Sequence, residues 1–214
     1  MKIDTSDQSK RSQPQSKMPP MPPLQPGQLM YENGIIYFSD HFDSTTTKPV
    51  INTIIEKNLL PQKERPKEIT LVINSPGGQV HSAFALIDTI KGSAIPIKTI
   101  GLGMIASCGI LTFMSGTKGR RFITPNTSIL SHQYSWGSAG KEHELFARVR
   151  EFELSTARMM DHYKKCTGLS EKKIREVLLP AEDVWLSAKE AVKYGIADKI
   201  VSTYWGINGR KNKS

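Results

Sequence analysis

Between residues 35 and 200 the chain alternates short apolar runs with longer stretches of helical spacing. Ile35–Phe38 and 69–73 are near-continuous apolar runs of the kind that suits strands buried on both faces. After Pro76-Gly77-Gly78, the residues Val80, Phe84, Ile87 and Ile90 recur at helical spacing, and Gly92 offers a stop. A strand follows over 97–100, then a second helix over 106–114, starting beside Ser107. Another strand runs over 127–131 and ends at His132. The longest helix spans Glu142–Thr167, with Leu145, Phe152, Met160 and Tyr163 on one stripe and Gly168 as its cap. Ser187-Ala188-Lys189-Glu190 forms a capping box that opens a short helix ending at Gly195. Repeated strand–helix alternation without an internal repeat predicts an α/β fold.

The two ends depart from this pattern. Residues 1–29 hold six of the thirteen prolines together with several Gln and Ser. Such a segment buries too little apolar surface to offset its ordering entropy, so it reads as a disordered tail or a removable propeptide. Residues 204–214 read as a second, basic tail, leaving 30–203 as one folded domain. The formal charge of +9 is concentrated in these ends, which carry a net of two and of three positive charges. No basic stripe interleaved with aromatics appears, so a nucleic-acid partner is not expected. No apolar run is long enough for a membrane span, and no signal core is visible. Two cysteines, Cys108 and Cys166, outside any CxxC pair, suit a reduced, cytoplasmic compartment.

Three runs carry candidate chemistry: Asn74-Ser75-Pro76-Gly77-Gly78, Gly103-Met104-Ile105-Ala106-Ser107-Cys108-Gly109 and Ser131-His132-Gln133. A serine hydroxyl is a weak nucleophile until a base takes its proton and donors receive the oxyanion formed after attack. A glycine loop with bare N–H groups, a serine at a helix start and a histidine supply candidates for these parts. Each run also has a plainer explanation. The glycines serve a tight turn, small residues around Ser107 permit close packing or cap a helix, and a lone histidine is commonly structural. His41, His81, His143 and His162 show no metal-ligand spacing, so neither metal nor cofactor is expected. Asp183 is the candidate carboxylate to hold the imidazole, the alternative being a solvated loop acid.

These runs, with Lys118-Gly119-Arg120-Arg121-Phe122-Ile123-Thr124-Pro125-Asn126 and Leu186-Ser187-Ala188-Lys189-Glu190-Ala191, resemble the ClpP family, the proteolytic subunit of the ATP-dependent Clp protease. The resemblance extends from about Gly34 to Val201, with the motifs in order. It implies a ClpP/crotonase-type fold of repeated ββα units. It implies Ser107 as nucleophile, His132 as general base and Asp183 as the third triad member. The backbone N–H groups of Gly78 and Cys108 then form the oxyanion hole, with Gly77, Gln79, Gln133 and Tyr134 against the substrate. It further implies a homo-oligomer of two stacked heptameric rings interlocked through Gln133 to Gly140 and the long helix, unfolded polypeptides as substrates, and an ATPase unfoldase as partner. The chain itself contains no P-loop.

The chain departs from the family pattern in places. Tyr134 stands where members have proline, Trp136-Gly137 replaces a Gly-Gly, and the interval from His132 to Asp183 is about two residues longer. The family's entrance motif is missing before Gly34, and Thr70 and Val72 replace tyrosines that help form its ATPase pocket. Altered docking to an ordinary Clp ATPase is therefore expected. Three other readings share parts of the pattern: a same-fold protease for a dedicated job such as viral capsid maturation, a non-catalytic ring subunit, and a crotonase-like acyl-CoA enzyme. The paired serine and histidine count against the last two.

Overall fold

A computed structural model describes residues 27–203. The expectations for 1–29 and 204–214 fall outside the described residues, except that Gln28 and Leu29 already belong to a short helix, α1 (Gln28–Glu32). Strand β1 (Ile35–Phe38) is followed by α2 (Ser44–Leu59), a 3₁₀ turn at Gln62–Glu64, β2 (Ile69–Ser75), α3 (Val80–Gly92), β3 (Ile97–Ala106) and α4 (Cys108–Met114). Then come β4 (Arg121–Ile123), β5 (Ser128–Ser131), α5 (Glu142–Thr167), α6 (Glu171–Val177), β6 (Val184–Leu186), α7 (Ala188–Lys193) and β7 (Lys199–Ile200). Among the described residues no helix is long and apolar enough to cross a membrane.

The sheet is parallel in the order β1-β2-β3-β4-β7. A parallel sheet covered on both faces needs near-continuous apolar strands, and Ile69 to Ile73 are all buried. β3 is the hub. Its first half pairs with β4 (Thr99 opposite Arg121) and its second half with β5 (Ile105 opposite Ile129). The switch is made by a bulge between the Ile73–Gly101 and Ser75–Ile105 pairs. There Gly103 turns through φ +60°, and the Asn74 Oδ1 accepts the Met104 N–H at 3.1 Å. β6 closes the edge antiparallel to β5, with Ser131 opposite Val184.

Helix α2 departs from what periodicity predicts, because a Thr-rich start and Pro49 make its sequence a poor helix former. Asp43 compensates at the N-cap by accepting the N–H groups of Thr45 and Thr46, and buried Val50 and Ile54 seat the helix on the core. β3 also runs to Ala106, where a helix was expected to begin; α4 starts at Cys108 with Ser107 as its N-cap residue. Every residue of α4 is buried, as a helix apolar all round requires. It packs on β2, β3, α3 and α5.

Helix α5 is of two kinds. Its buried side chains begin only at Ser155, and they include Met159, Met160, His162 and Tyr163. The preceding thirteen residues form an arm roughly 20 Å long at 1.5 Å per residue. That arm exposes Leu145, Phe146, Val149 and Leu154.

Polar contacts lock the body behind the sheet. Arg121, buried on β4, donates to both Asp198 carboxylate oxygens (2.6 and 3.0 Å) and to the Cys166 carbonyl. Burial opposes the Asp198 charge, but these bonds prevail and hold its pKa below the usual value. His162 donates Nε2–H to the Leu111 carbonyl at 2.7 Å, so Nδ1 accepts from the Lys91 ammonium at 3.0 Å. Burial, reinforced by Lys91, drives the His162 pKa down to about 4.

A histidine whose folded pKa is depressed stabilises the fold fully above its unfolded value near 6.5 and loses that contribution as pH falls toward 4. The thermal midpoint should therefore fall by several degrees between pH 6.5 and 4, a loss on the order of 3 kcal/mol. His162→Gln should flatten that part of the curve; an unchanged slope in the variant would contradict the assignment. Separately, Asp198→Ala strands a buried guanidinium and should cost about 3–5 kcal/mol in denaturant unfolding at neutral pH.

Candidate active site

Strands β2, β3 and β5 run parallel, so the loops after their carboxyl ends emerge on the same side of the sheet. Those loops hold Gly77-Gly78, Ser107 and His132. β6 runs the other way, so the segment that enters it, with Asp183, meets the same edge. Extending the Ser131–Val184 pairing by one residue sets Asp183 opposite His132.

Ser107 lies at φ +52°, ψ −119°, the one positive φ at a non-glycine among the described residues. Such a conformation costs on the order of 1–3 kcal/mol and persists only when its surroundings impose it. Its N–H donates to the Leu130 carbonyl at 2.9 Å, and its carbonyl accepts the Ile110 N–H at 3.0 Å. Gly77 lies beneath it: a Cβ built there would come 2.6 Å from the serine Cβ. The turn and the buried helix that follows present the hydroxyl where a helix N-terminus offers unpaired N–H groups and partial positive charge.

Gly78 is bracketed from the opposite side. The Phe42 N–H donates to the Gly77 carbonyl (2.8 Å) and the Gln79 N–H to the Phe42 carbonyl (2.7 Å). A Cβ on Gly78 would come 2.5 Å from the Phe42 N and O, so only glycine fits. Because a peptide is planar and trans, a Gly77 carbonyl directed at Phe42 turns the Gly78 N–H away from it. Neither that N–H nor the Cys108 N–H meets a backbone acceptor among the described residues, and the Cys108 sulfur lies near both.

A cavity of about 180 Å³ opens between these groups, lined by Gly78, Ser107, Cys108, His132, Gln133 and Tyr134. Val80, Leu111, Met159 and Tyr163 supply apolar wall. Gly77 and Gln79 do not line it; one supports Ser107 and the other pairs with Phe42. Burial pushes the Cys108 thiol up to about 11 and the Tyr163 phenol up to about 12, so both stay neutral at pH 7. The Tyr163 hydroxyl lies 3.0 Å from Ser131 Oγ, which donates to the Leu178 carbonyl at 2.6 Å.

His132 lies 2.6 Å from the Gln133 carbonyl through Nδ1. A carbonyl only accepts, so Nδ1 carries the proton and Nε2 keeps the lone pair that a general base needs. Asp183 is exposed and makes no hydrogen bond to His132, nor does Ser107 Oγ, whose side-chain partner is the Cys108 thiol. The four segments thus converge on one edge, with Ser107, His132 and Asp183 not hydrogen-bonded to one another. Beyond His132, Tyr134 and Trp136 stack on Phe152 of the arm, with centroids 5.5 and 4.9 Å apart.

Periodicity alone missed Phe42, whose backbone orients Gly78 from 36 positions upstream, and Met159. Val80 and Tyr163 were legible as helical apolar positions, although nothing local marks them as cavity wall.

The Clp protease family model matches residues 24–204 of the chain. The chain is 34% identical over 158 residues to ATP-dependent Clp protease proteolytic subunit 2 of Chlamydia trachomatis serovar D, covering 73% of this chain and 77% of that protein. It is 34% identical over 151 residues to the ATP-dependent Clp protease proteolytic subunit of Deinococcus radiodurans, covering 70% and 73%. Against the chloroplastic ATP-dependent Clp protease proteolytic subunit 3 of Arabidopsis thaliana the identity is 28% over 190 residues, covering 89% and 60%. With the strained serine turn, the glycine cradle and a match across nearly all the described residues, the chain belongs to the Clp protease family, among the ClpP-type proteolytic subunits.

Proposed function

We propose that this chain is a serine endopeptidase that cleaves unfolded polypeptides inside a ring chamber of its own copies, through Ser107, His132 and Asp183. The observation that carries the reading is the Ser107 backbone, held at φ +52° at the head of a buried helix, in one cavity with His132 and Gly78. Nε2 of His132 takes the hydroxyl proton as Ser107 Oγ attacks the scissile carbonyl. The oxyanion is received by the Gly78 and Cys108 N–H groups. His132 then protonates the leaving amine, and water resolves the acyl-enzyme by the reverse sequence of proton transfers.

Asp183 completes the relay when the 132–141 segment is braced. In the single chain the Gln133 carbonyl orients the imidazole, and a carboxylate would additionally stabilise the imidazolium that forms. The exposed α5 arm supports assembly: Phe146 is 67% exposed and lies on a surface more apolar than a lone domain needs. An ATPase partner is supported by an apolar cavity of about 700 Å³ beside β1 and β2, lined by Leu29, Met30, Tyr37, Val72 and Leu102. Thr70 is buried and does not line it, while Tyr37, half exposed on β1, brings a phenol beside Val72. The aromatic surface is therefore relocated rather than lost, in keeping with altered docking.

Ser107→Ala and His132→Ala should each lower peptide turnover by about four orders of magnitude while leaving the fold intact, and Ser107→Ala should abolish fluorophosphonate labelling. Undiminished turnover in Ser107→Ala would exclude the nucleophile. Asp183→Asn should lower kcat by at least about a hundredfold. Asp161→Asn, on α5 and 4.0 Å from Lys164, should leave kcat near that of the unmodified protein. The reverse order would move the third triad member to Asp161. Phe146→Asp should reduce the particle mass measured by light scattering, together with peptidase activity; a fully active monomer would defeat the ring reading.

A further inference from the structure

Gly78 has no side chain and a φ of +147°, so nothing intrinsic confines the orientation of its peptide groups. Two hydrogen bonds to Phe42 hold the outer side, through the Gly77 carbonyl and the Gln79 N–H. On the inner side the Gly78 carbonyl accepts one bond, from Cys108 Sγ at 3.2 Å. That thiol is 3% exposed and lines the cavity beside Ser107. Its burial keeps it protonated, as a donor must be. Cys108 therefore meets the glycine loop through its side chain while its backbone N–H faces the same cavity.

We propose that the Cys108 side chain is a positioning residue for peptide hydrolysis: its thiol clamps the Gly78 carbonyl and so sets the spacing between the two oxyanion donors, Gly78 N–H and Cys108 N–H. The inference rests on the proposed serine-peptidase reading and extends it to the side chain that follows Ser107. The geometry makes the clamp two-sided. Phe42 fixes which way the Gly78 N–H points, and Cys108 fixes how far the loop stands from the head of α4. Without the thiol, the Gly78–Gln79 peptide keeps only its bond to Phe42, and the carbonyl of Gly78, an exposed residue, is released to water. The loop then drifts toward other acceptors, donors or water, and a displacement near 1 Å at an oxyanion hole is enough to slow the chemical step severalfold to a hundredfold.

The test uses the assembled full chain and three variants. Cys108→Ala removes the donor, Cys108→Val restores volume without a donor, and Cys108→Ser keeps a donor on a shorter bond. Each is assayed for kcat and KM on a fluorogenic peptide and for inhibition by a peptide aldehyde, whose hemiacetal oxygen occupies the oxyanion position. Ala and Val should both lose about tenfold in kcat, with KM within about twofold and aldehyde affinity reduced in proportion. Ser should recover a clear part of the lost rate. Recovery by Val but not Ser would make the residue a packing element and overturn the proposal, as would wild-type kcat in Ala, or a rise in KM with kcat unchanged. Fluorophosphonate labelling of the unmodified protein separates the two levels of inference. Absence of labelling at Ser107 refutes the peptidase reading, whereas normal labelling with an indifferent Cys108 refutes only the clamp.

Discussion

Three backbone segments meet at distances that no side chain could tolerate, and the rest of the architecture serves that approach. Gly77 lies against Ser107, and Gly78 against Phe42, where built Cβ atoms would come 2.6 and 2.5 Å from their neighbours. Close packing of bare backbone presses the serine into a conformation that a free chain avoids. The sheet makes this possible. β2 and β3 lie side by side and end at the same edge, and the Gly103 bulge lets β3 change partners from β4 to β5 before it reaches Ser107. A strained turn is affordable because α4, which follows it, is buried along its whole length.

The helices behind the sheet hold that arrangement with a few directional contacts. His162 reaches from α5 to the Leu111 carbonyl of α4, so the helix that follows Ser107 is tied at its middle to the one that carries the arm. Arg121 joins β4 to Asp198 and to the carbonyl of Cys166 at the end of α5. The first contact is buried and the second partly so, and their groups keep the protonation state that the contact needs: neutral imidazole in one, carboxylate in the other. α5 thus has a fixed root and a free arm. The aromatic stack of Tyr134 and Trp136 on Phe152 ties the segment after His132 to the arm's base. Movement of the arm would accordingly be felt at His132.

Orientation of the imidazole illustrates a division of labour between backbone and side chains. The Gln133 carbonyl already selects the tautomer with a free Nε2, and it needs no partner residue to do so. A carboxylate adds charge stabilisation that a carbonyl cannot match. Antiparallel pairing of β6 with β5 brings Asp183 to the right edge, but strand register positions a backbone to within a residue and leaves the side chain to its surroundings.

Much of this was legible in the order of the residues. The apolar runs of β1 and β2, the spacing of α3, the length of α5 and the capping box of α7 follow from local propensities and a burial period that each segment carries within itself. The Ser107 and His132 motifs, and the glycines before them, could be singled out because together they supply a donor loop, a hydroxyl and an imidazole, in an order that resembles a known family. α2 was not legible: Thr-rich and holding Pro49, it owes its helix to the Asp43 cap and to buried Val50 and Ile54. Only the tertiary structure decided that β3 runs on to Ala106, that Phe42 aims the Gly78 N–H, that the Cys108 thiol reaches the Gly78 carbonyl, and that Gln133 rather than Asp183 orients His132 in the single chain. Each of these joins groups through space at a scale of 3 Å, and local sequence encodes the shape of a segment but not the distance at which it meets another.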